Sequence, residues 1–334
     1  MKTRWLLPLL AGFAMLAGAA APAMAQAWPS RPLRLIVPFG AGSGTDIVAR
    51  IVAQEVADII GRPIVIENVG GAGGTIGVLR AARATPDGYT FIIGAVDTFA
   101  QSQFLFITPP ANTVTEFDPV ALAVEQPLVH IVRRDFPAQN LQEFAARARA
   151  ARPGELSFGS AGVGAAPYLA CAMLNSRIGV REPVHVPYRA AAPALQDMMM
   201  GRLDYYCPLA ISAAGQIADG TLRALAVLTA ERSPLFPDLP TAREQGIEVT
   251  DGYYWNGFFV PKGTPEAATA GLQAAIATAL DRPSLQGRLR SAAATVVTPE
   301  RRSRAYLEGF LASEIQKWSG IMREASVERQ TQAQ

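Results

Sequence analysis

The sequence predicts an α/β protein of two lobes with a ligand cleft between them. Short β-branched runs alternate with alanine-rich helical stretches, the pattern of stacked strand and helix layers. The runs are apolar almost throughout, as expected of strands covered on both faces. At 334 residues the chain exceeds what one hydrophobic core usually organises, and its 50% hydrophobic content is enough to fill two.

LRLIVPF (33–39), PIVIEN (63–68) and YTFIIGA (89–95) read as the first strands, with helices beginning near Thr45 and Gly74. ALAVEQPLVHIVRRD (121–135) is further strand material, LQEFAARARAA (141–151) is a helix, and a second lobe begins around here. LSFGSA (156–161), a helix from Val163 to Asn175 and PVHVPY (183–188) repeat the strand-helix-strand unit. PALQDMMMGRLDYYC (193–207) gives a helix closed by Gly201 and then a strand, and LRALAVLTAE (222–231) is another β-rich run. The tail from Pro265 to Glu324 is mostly helical, and pattern alone does not place it. Parallel sheets of this kind bind ligands at the carboxyl ends of their strands.

The first residues, MKTRWLLPLLAGFAMLAGAAAPAMA, place Lys2 and Arg4 before an apolar stretch and Ala23-Met24-Ala25 before Gln26. Residues 1–25 therefore read as a secretory signal, and Pro8 with several glycines argues against a retained membrane anchor. No later run has the roughly 18 uninterrupted apolar residues of a membrane span. The mature chain is expected to be exported and soluble, with 28 basic against 28 acidic residues, a balance that gives no footprint for nucleic acid. Balanced charge and the lack of an apolar heptad favour a monomer. Cys171 and Cys207 fall in one lobe of an exported chain, where a disulfide and a pair of buried thiols are both open. His130 and His185 are the only histidines and neither sits at ligand spacing, so no metal site is expected.

PFGAGSGTD (38–46) joins the first strand to the first helix and has the physics of an anion site. Glycines let backbone approach closely, N–H groups can converge, and the helix N-terminus carries partial positive charge. Ser43 or Thr45 can add a hydroxyl donor, and Asp46 can cap the helix. A tight turn with a capping aspartate fits the same residues. The third glycine of a dinucleotide fingerprint is replaced by Thr45, and a phosphate-gripping lysine motif is missing, so no cofactor is implied. A second turn, Gly70-Gly71-Ala72-Gly73-Gly74, and a third, Gly159-Ser160-Ala161-Gly162-Val163-Gly164, repeat the arrangement. Three such turns facing one cleft suit a carboxylate clamp.

Catalysis has little to stand on. His130 lies within LVHIV and His185 alternates with valines, both readable as strand histidines, and Ser160 lies in G-S-A-G rather than a nucleophile elbow. Met198-Met199-Met200 and Trp255 read as packing residues. A periplasmic hydrolase or transferase using Ser160 or Asp97 is the rival class.

In order, RPLRLIVPFGAGSGTD, GRPIVIENVGGAGGTIG, PDGYT, FGSAGVGAAPYLA, HVPYRAAAPALQD, GRLD, LRALAV, FPDLPTAREQG and VPKGTP span nearly the whole mature chain. The series resembles the tripartite tricarboxylate transporter substrate-binding family, the Bug-type extracytoplasmic receptors. The resemblance implies a type II periplasmic-binding-protein architecture, a Venus flytrap, without chemistry of its own. Lobe one would be 26–125 plus 226–334, and lobe two 126–225. Such receptors take small organic acids or amino-acid-like solutes and present them to integral membrane subunits; a sensory or orphan receptor for a similar ligand is the alternative.

At matching positions the resemblance assigns Phe39, Gly40, Ser43, Thr45 and Asp46 from the first loop and Gly71, Ala72 and Gly73 from the second. In lobe two it assigns Ser160, Gly162, Val163 and Gly164, with Tyr188 and Asp204 as further walls. Asp204 could meet an ammonium or hydroxyl group, and is equally readable as an exposed strand carboxylate. The chain departs from the family pattern at Gly40-Ala41, Val69, Pro167-Tyr168 and Asp97. Asp97, in GAVDTFA, places a carboxylate where a small polar residue often lines the cleft. A buried carboxylate beside an anionic ligand is costly unless protonated or paired, which speaks against a simple tricarboxylate.

Overall fold

The computed structural model describes residues 28–106, 109, 111–249 and 253–324; the export signal expected at 1–25 lies outside them. Among the described residues no helix is long and apolar enough to cross a membrane.

The chain begins with β1 (Leu33–Val37), α1 (Gly44–Ile60), β2 (Ile64–Asn68), α2 (Thr75–Ala82) and β3 (Thr90–Ala95). A π-helical turn, Val96–Gln101, runs directly from β3 into the short α3 (Ser102–Leu105). β4 (Phe117–Gln126) and β5 (Val129–Arg133) follow, then α4 (Leu141–Ala150), β6 (Ser157–Ser160), α5 (Ala166–Ile178) and β7 (Val184–Pro187). Next come α6 (Ala191–Met199), β8 (Tyr205–Tyr206), α7 (Ala210–Ala218) and β9 (Leu222–Val227). The return leg is β10 (Tyr254–Pro261), α8 (Glu266–Asp281), α9 (Pro283–Ser291), β11 (Thr295–Val296) and α10 (Arg304–Glu324).

These strands form two mixed sheets, one of six strands in the order β11-β4-β10-β3-β1-β2 and one of five in the order β7-β6-β8-β5-β9. The strands that the glycine turns follow pair in parallel, β1 with β2 and β3, and β6 with β7 and β8. Antiparallel partners, β10 in the first sheet and β5 in the second, complete each core. One apolar cluster joins residues of both sheets, including Ile92, Phe99, Phe144 and Tyr205, while separate clusters fill the outer face of each.

The structure refines the sequence expectations at two places. The strand material of 121–135 divides into two strands: β4 ends at Gln126 in the six-stranded sheet and β5 starts at Val129 in the other. Pro127 sits at the crossing, where it has no N–H to extend a ladder. β10 is a central strand that the pattern did not reveal, and all eight of its residues are buried. Phe258 packs against Phe91 on one face, with ring centroids 6.0 Å apart, and Phe259 stacks on Phe99 at 4.0 Å on the other.

Cys171 in α5 and Cys207 just after β8 form a disulfide, closing the alternative left open by the sequence. It closes a loop of 36 residues within the five-stranded unit. Constraining a loop of that length in the unfolded chain is worth roughly 3–4 kcal/mol. The Cys171→Ser/Cys207→Ser variant should therefore lose about that much unfolding free energy in urea titration; an unchanged midpoint and slope would show that the bridge does not stabilise the fold.

Candidate functional site

The first loop is built around Asp46. Its Oδ2 accepts from the Gly42 N–H at 2.8 Å and from Arg50 at 2.9 Å, and its Oδ1 accepts from Asn68 Nδ2 at 2.8 Å. Burial works to raise the Asp46 carboxyl, but the hydrogen bonds from Arg50, Asn68 and Gly42 outweigh it and hold the group below its ordinary value. Ser43 is the N-cap of α1, its Oγ accepting from Asp46 N–H at 3.2 Å. Asp46 thus folds the loop and does not point from it.

The second loop packs beneath the first. A Cβ at Gly77 would lie 2.6 Å from Pro38 Cα, and Ala72 adopts φ 46°, a left-handed conformation strained for a residue with a side chain. Its tip reaches the other sheet's loop: a Cβ at Gly73 would meet Val163 O at 2.7 Å. A Cβ at Gly44 would similarly meet Leu209 Cδ1 at 2.5 Å. Loops from the two sheets are therefore in close contact, and at Gly73, where the neighbour is backbone and φ is 63°, glycine is what permits it.

Asp97 lies at the start of the π-helical turn and is almost completely buried. Its Oδ1 accepts from Thr98 N–H at 2.8 Å, and its Oδ2 accepts at 3.1 Å from the N–H of Ala166, the first residue of α5 on the other sheet. The Tyr254 hydroxyl, on β10, reaches both oxygens at 3.2 and 3.3 Å. Thr45 Oγ1 stands 3.0 Å from the same hydroxyl, so with the tyrosine proton directed to Asp97 the threonine donates to it. Burial pushes the Asp97 carboxyl up from 3.8 to about 7 against the pull of these donors.

Beside Asp97 is a cavity of about 30 Å³, enough for one or two waters, walled by residues of both sheets. Ser43, Gly44 and Thr45 bring the N-terminus of α1; Pro167, Ala191 and Ser212 bring the first turns of α5, α6 and α7. Four helix N-termini thus converge, a field that favours an anion. Tyr206 also lines the cavity, and its hydroxyl is buried without a hydrogen-bond partner. Admission of a larger solute requires the contacting loops to separate.

Of the residues expected at the site, Phe39, Ser43, Thr45 and Asp97 line this cavity. Gly73, Gly162, Val163 and Gly164 form the contact between loops, Gly71 and Ala72 support the second loop's turn, and a Cβ at Gly40 would come within 3.2 Å of the Ala190 Cβ. Two others are engaged elsewhere. Tyr188 donates its phenol to Asp197 at 2.7 Å. Asp204 is not brought to the cavity: it accepts from Ser157 N–H at 2.8 Å and pairs with Arg133 at 3.1 Å, at the end of β6 remote from Ser160. Ser160 accepts from Gly162 N–H at 3.0 Å and its Oγ lies 2.6 Å from His185 Nε2, a hydrogen bond whose direction follows the imidazole tautomer. Among the described residues no carboxylate bonds His185, whose ring packs against Phe158 and Tyr168; the pair braces the third loop. Sequence reasoning missed Tyr206, Ser212 and Tyr254. Tyr206 ends a strand at the sheet's binding edge, a usable signal that the choice of neighbouring Asp204 overlooked.

The family model described as tripartite tricarboxylate transporter family receptor matches residues 48–327. The chain belongs to that receptor family. BugT of Bordetella pertussis is 32% identical over 97% of this receptor and 98% of its own length. The periplasmic binding protein BugD superposes with a TM-score of 0.86 at 34% identity, covering 91% of the receptor and all of BugD. MatC from Rhodopseudomonas palustris, solved with bound malate, gives 0.84 at 37% identity over 88% and 99% of the two chains. The receptor's two-sheet α/β architecture is that of these periplasmic binding proteins.

Asp97 also sets a pH signature for the receptor. Its folded value lies above its unfolded one, so the folded protein holds the extra proton between about pH 4 and 7 and loses stability as pH rises through that window. His130, buried with its imidazole pushed down to about 3, acts in the opposite sense as pH falls below 6.5, so the difference between proteins isolates Asp97. The unfolding free energy of Asp97→Asn relative to the parent should rise by up to about 4 kcal/mol from pH 4 to 7. A constant difference would mean that Asp97 ionises in the folded protein as it does in the unfolded chain.

Proposed function

We propose that this receptor captures a small carboxylate-bearing solute between its two lobes and delivers it to the integral membrane subunits of a tripartite tricarboxylate-type transporter. The observation that carries the reading is the cavity at which four helix N-termini meet the unpartnered Tyr206 hydroxyl. Such a site offers donors in excess of acceptors, the requirement of a carboxylate. MatC's bound malate supports an organic acid as the solute. Residues 26–125 with 226–334 form one lobe and 126–225 the other in this reading, and 1–25 serve as the export signal into the periplasm. The first loop, the Gly71-Ala72-Gly73 turn and the Ser160–Gly164 segment close over the solute. Burial then strengthens each hydrogen bond to it.

Thermal denaturation of the mature protein against a broad panel of organic acids and amino acids should show concentration-dependent stabilisation by at least one of them. Uniform melting across the panel would remove the receptor reading. For the solute so found, Tyr206→Phe should weaken binding about tenfold, the worth of one hydrogen bond to a charged group. The same substitution should leave stability in the free protein unchanged or slightly higher, because it removes a buried hydroxyl that has no partner. Equal affinities in the two proteins would exclude Tyr206 from the site.

A further inference from the structure

Resting on the receptor reading above, the geometry around Asp97 narrows the class of solute. An ionised carboxylate has about four acceptor positions. Three donors, the N–H groups of Thr98 and Ala166 and the Tyr254 hydroxyl, occupy Asp97. The carboxylate also lines the cavity, so a solute that enters meets its charge directly. Ala166 begins a helix of 13 residues, and the donor it presents is already taken by a carboxylate of the chain itself.

The rest of the cavity has the opposite character. Tyr206 brings a buried hydroxyl with no partner, and Ser43 and Ser212 stand at the N-termini of α1 and α7. That region is suited to one carboxylate. No lysine or arginine is among the residues lining the cavity, so a second carboxylate directed at Asp97 would meet a like charge without a counter-ion.

We propose that Asp97 is a resident anion standing at the N-terminus of α5 in place of a second solute carboxylate, so that the receptor selects solutes with one carboxylate and a hydrogen-bond-donating or cationic group over dicarboxylates. The solute's carboxylate binds on the Tyr206 and α1 side, and its ammonium, hydroxyl or amide donor meets Asp97. Asp97 is thereby a specificity-determining residue, setting the polarity of the solute's far end.

The test uses matched pairs that differ only at one terminus: succinate, glutarate and adipate against 4-hydroxybutyrate, 5-hydroxypentanoate and 6-hydroxyhexanoate, and against the corresponding ω-amino acids. Calorimetric titration of the mature receptor at pH 8, above the value of about 7 to which burial pushes Asp97, reads its ionised form. At least one monocarboxylate should bind tighter than its dicarboxylate partner by about tenfold or more. Asp97→Asn and Asp97→Ser, each checked for its fold by circular dichroism, should erase or reverse that ratio. A parent protein that binds a dicarboxylate as tightly as its partners overturns the proposal whether or not the variants fold. So does an unchanged ratio in a folded variant. If the broad acid panel stabilises the receptor while neither matched series binds, this inference fails and the receptor reading stands; if nothing in either set binds, both fail.

Discussion

A single buried carboxylate holds the two halves of this molecule in register. Asp97 sits where β3 gives way to a π-helical turn, and through its hydrogen bonds it touches the central strand β10 and the first residue of α5 on the other sheet. Thr45 extends the connection to the start of α1. Such a group is expensive to bury, and the donors around it lower the cost without removing it, which is why its carboxyl remains well above its ordinary value. π-Helical turns are often found at functional sites, and this one sets a buried, titratable carboxyl where the two lobes meet.

The glycine loops supply the complementary constraint. Where Gly73 approaches Val163, a side chain would meet backbone and keep the loops apart. The same glycine turns open α1 and α2, so the composition that allows the close approach also sets helix N-termini at the contact.

That composition is why much of the architecture was legible in the sequence. An apolar run, a glycine turn and an alanine-rich helix recur three times, and β1, β2 and β6 with the helices that follow them lie close to where the pattern puts them. β10 escaped because Asn256 and Gly257 interrupt its aromatic run and because its pairing with β3 and β4 is long-range and antiparallel. Between β4 and β5 the hydrophobicity is continuous across a change of sheet, so the run reads as strand material throughout and Pro127 is the local mark of the division. Ser43 and Thr45, singled out by loop chemistry, and Asp97, singled out by the family resemblance, lie beside one cavity. Tyr206, at the carboxyl end of β8, carried a positional signal in the sequence, while the lack of a partner for its hydroxyl is a property of the packed molecule; Asp204 precedes that short strand and lies against Ser157 and Arg133.

The bridge between Cys171 and Cys207 joins the helix that presents Ala166 to Asp97 with the strand that presents Tyr206 to the cavity. Those two donors belong to different elements that the covalent link ties together. In the proposed reading, oxidation after export thereby sets the spacing of the binding site as well as securing the fold. A chain folded in a reducing cytoplasm would carry every residue of the site and still lack the strut that holds its second half to gauge.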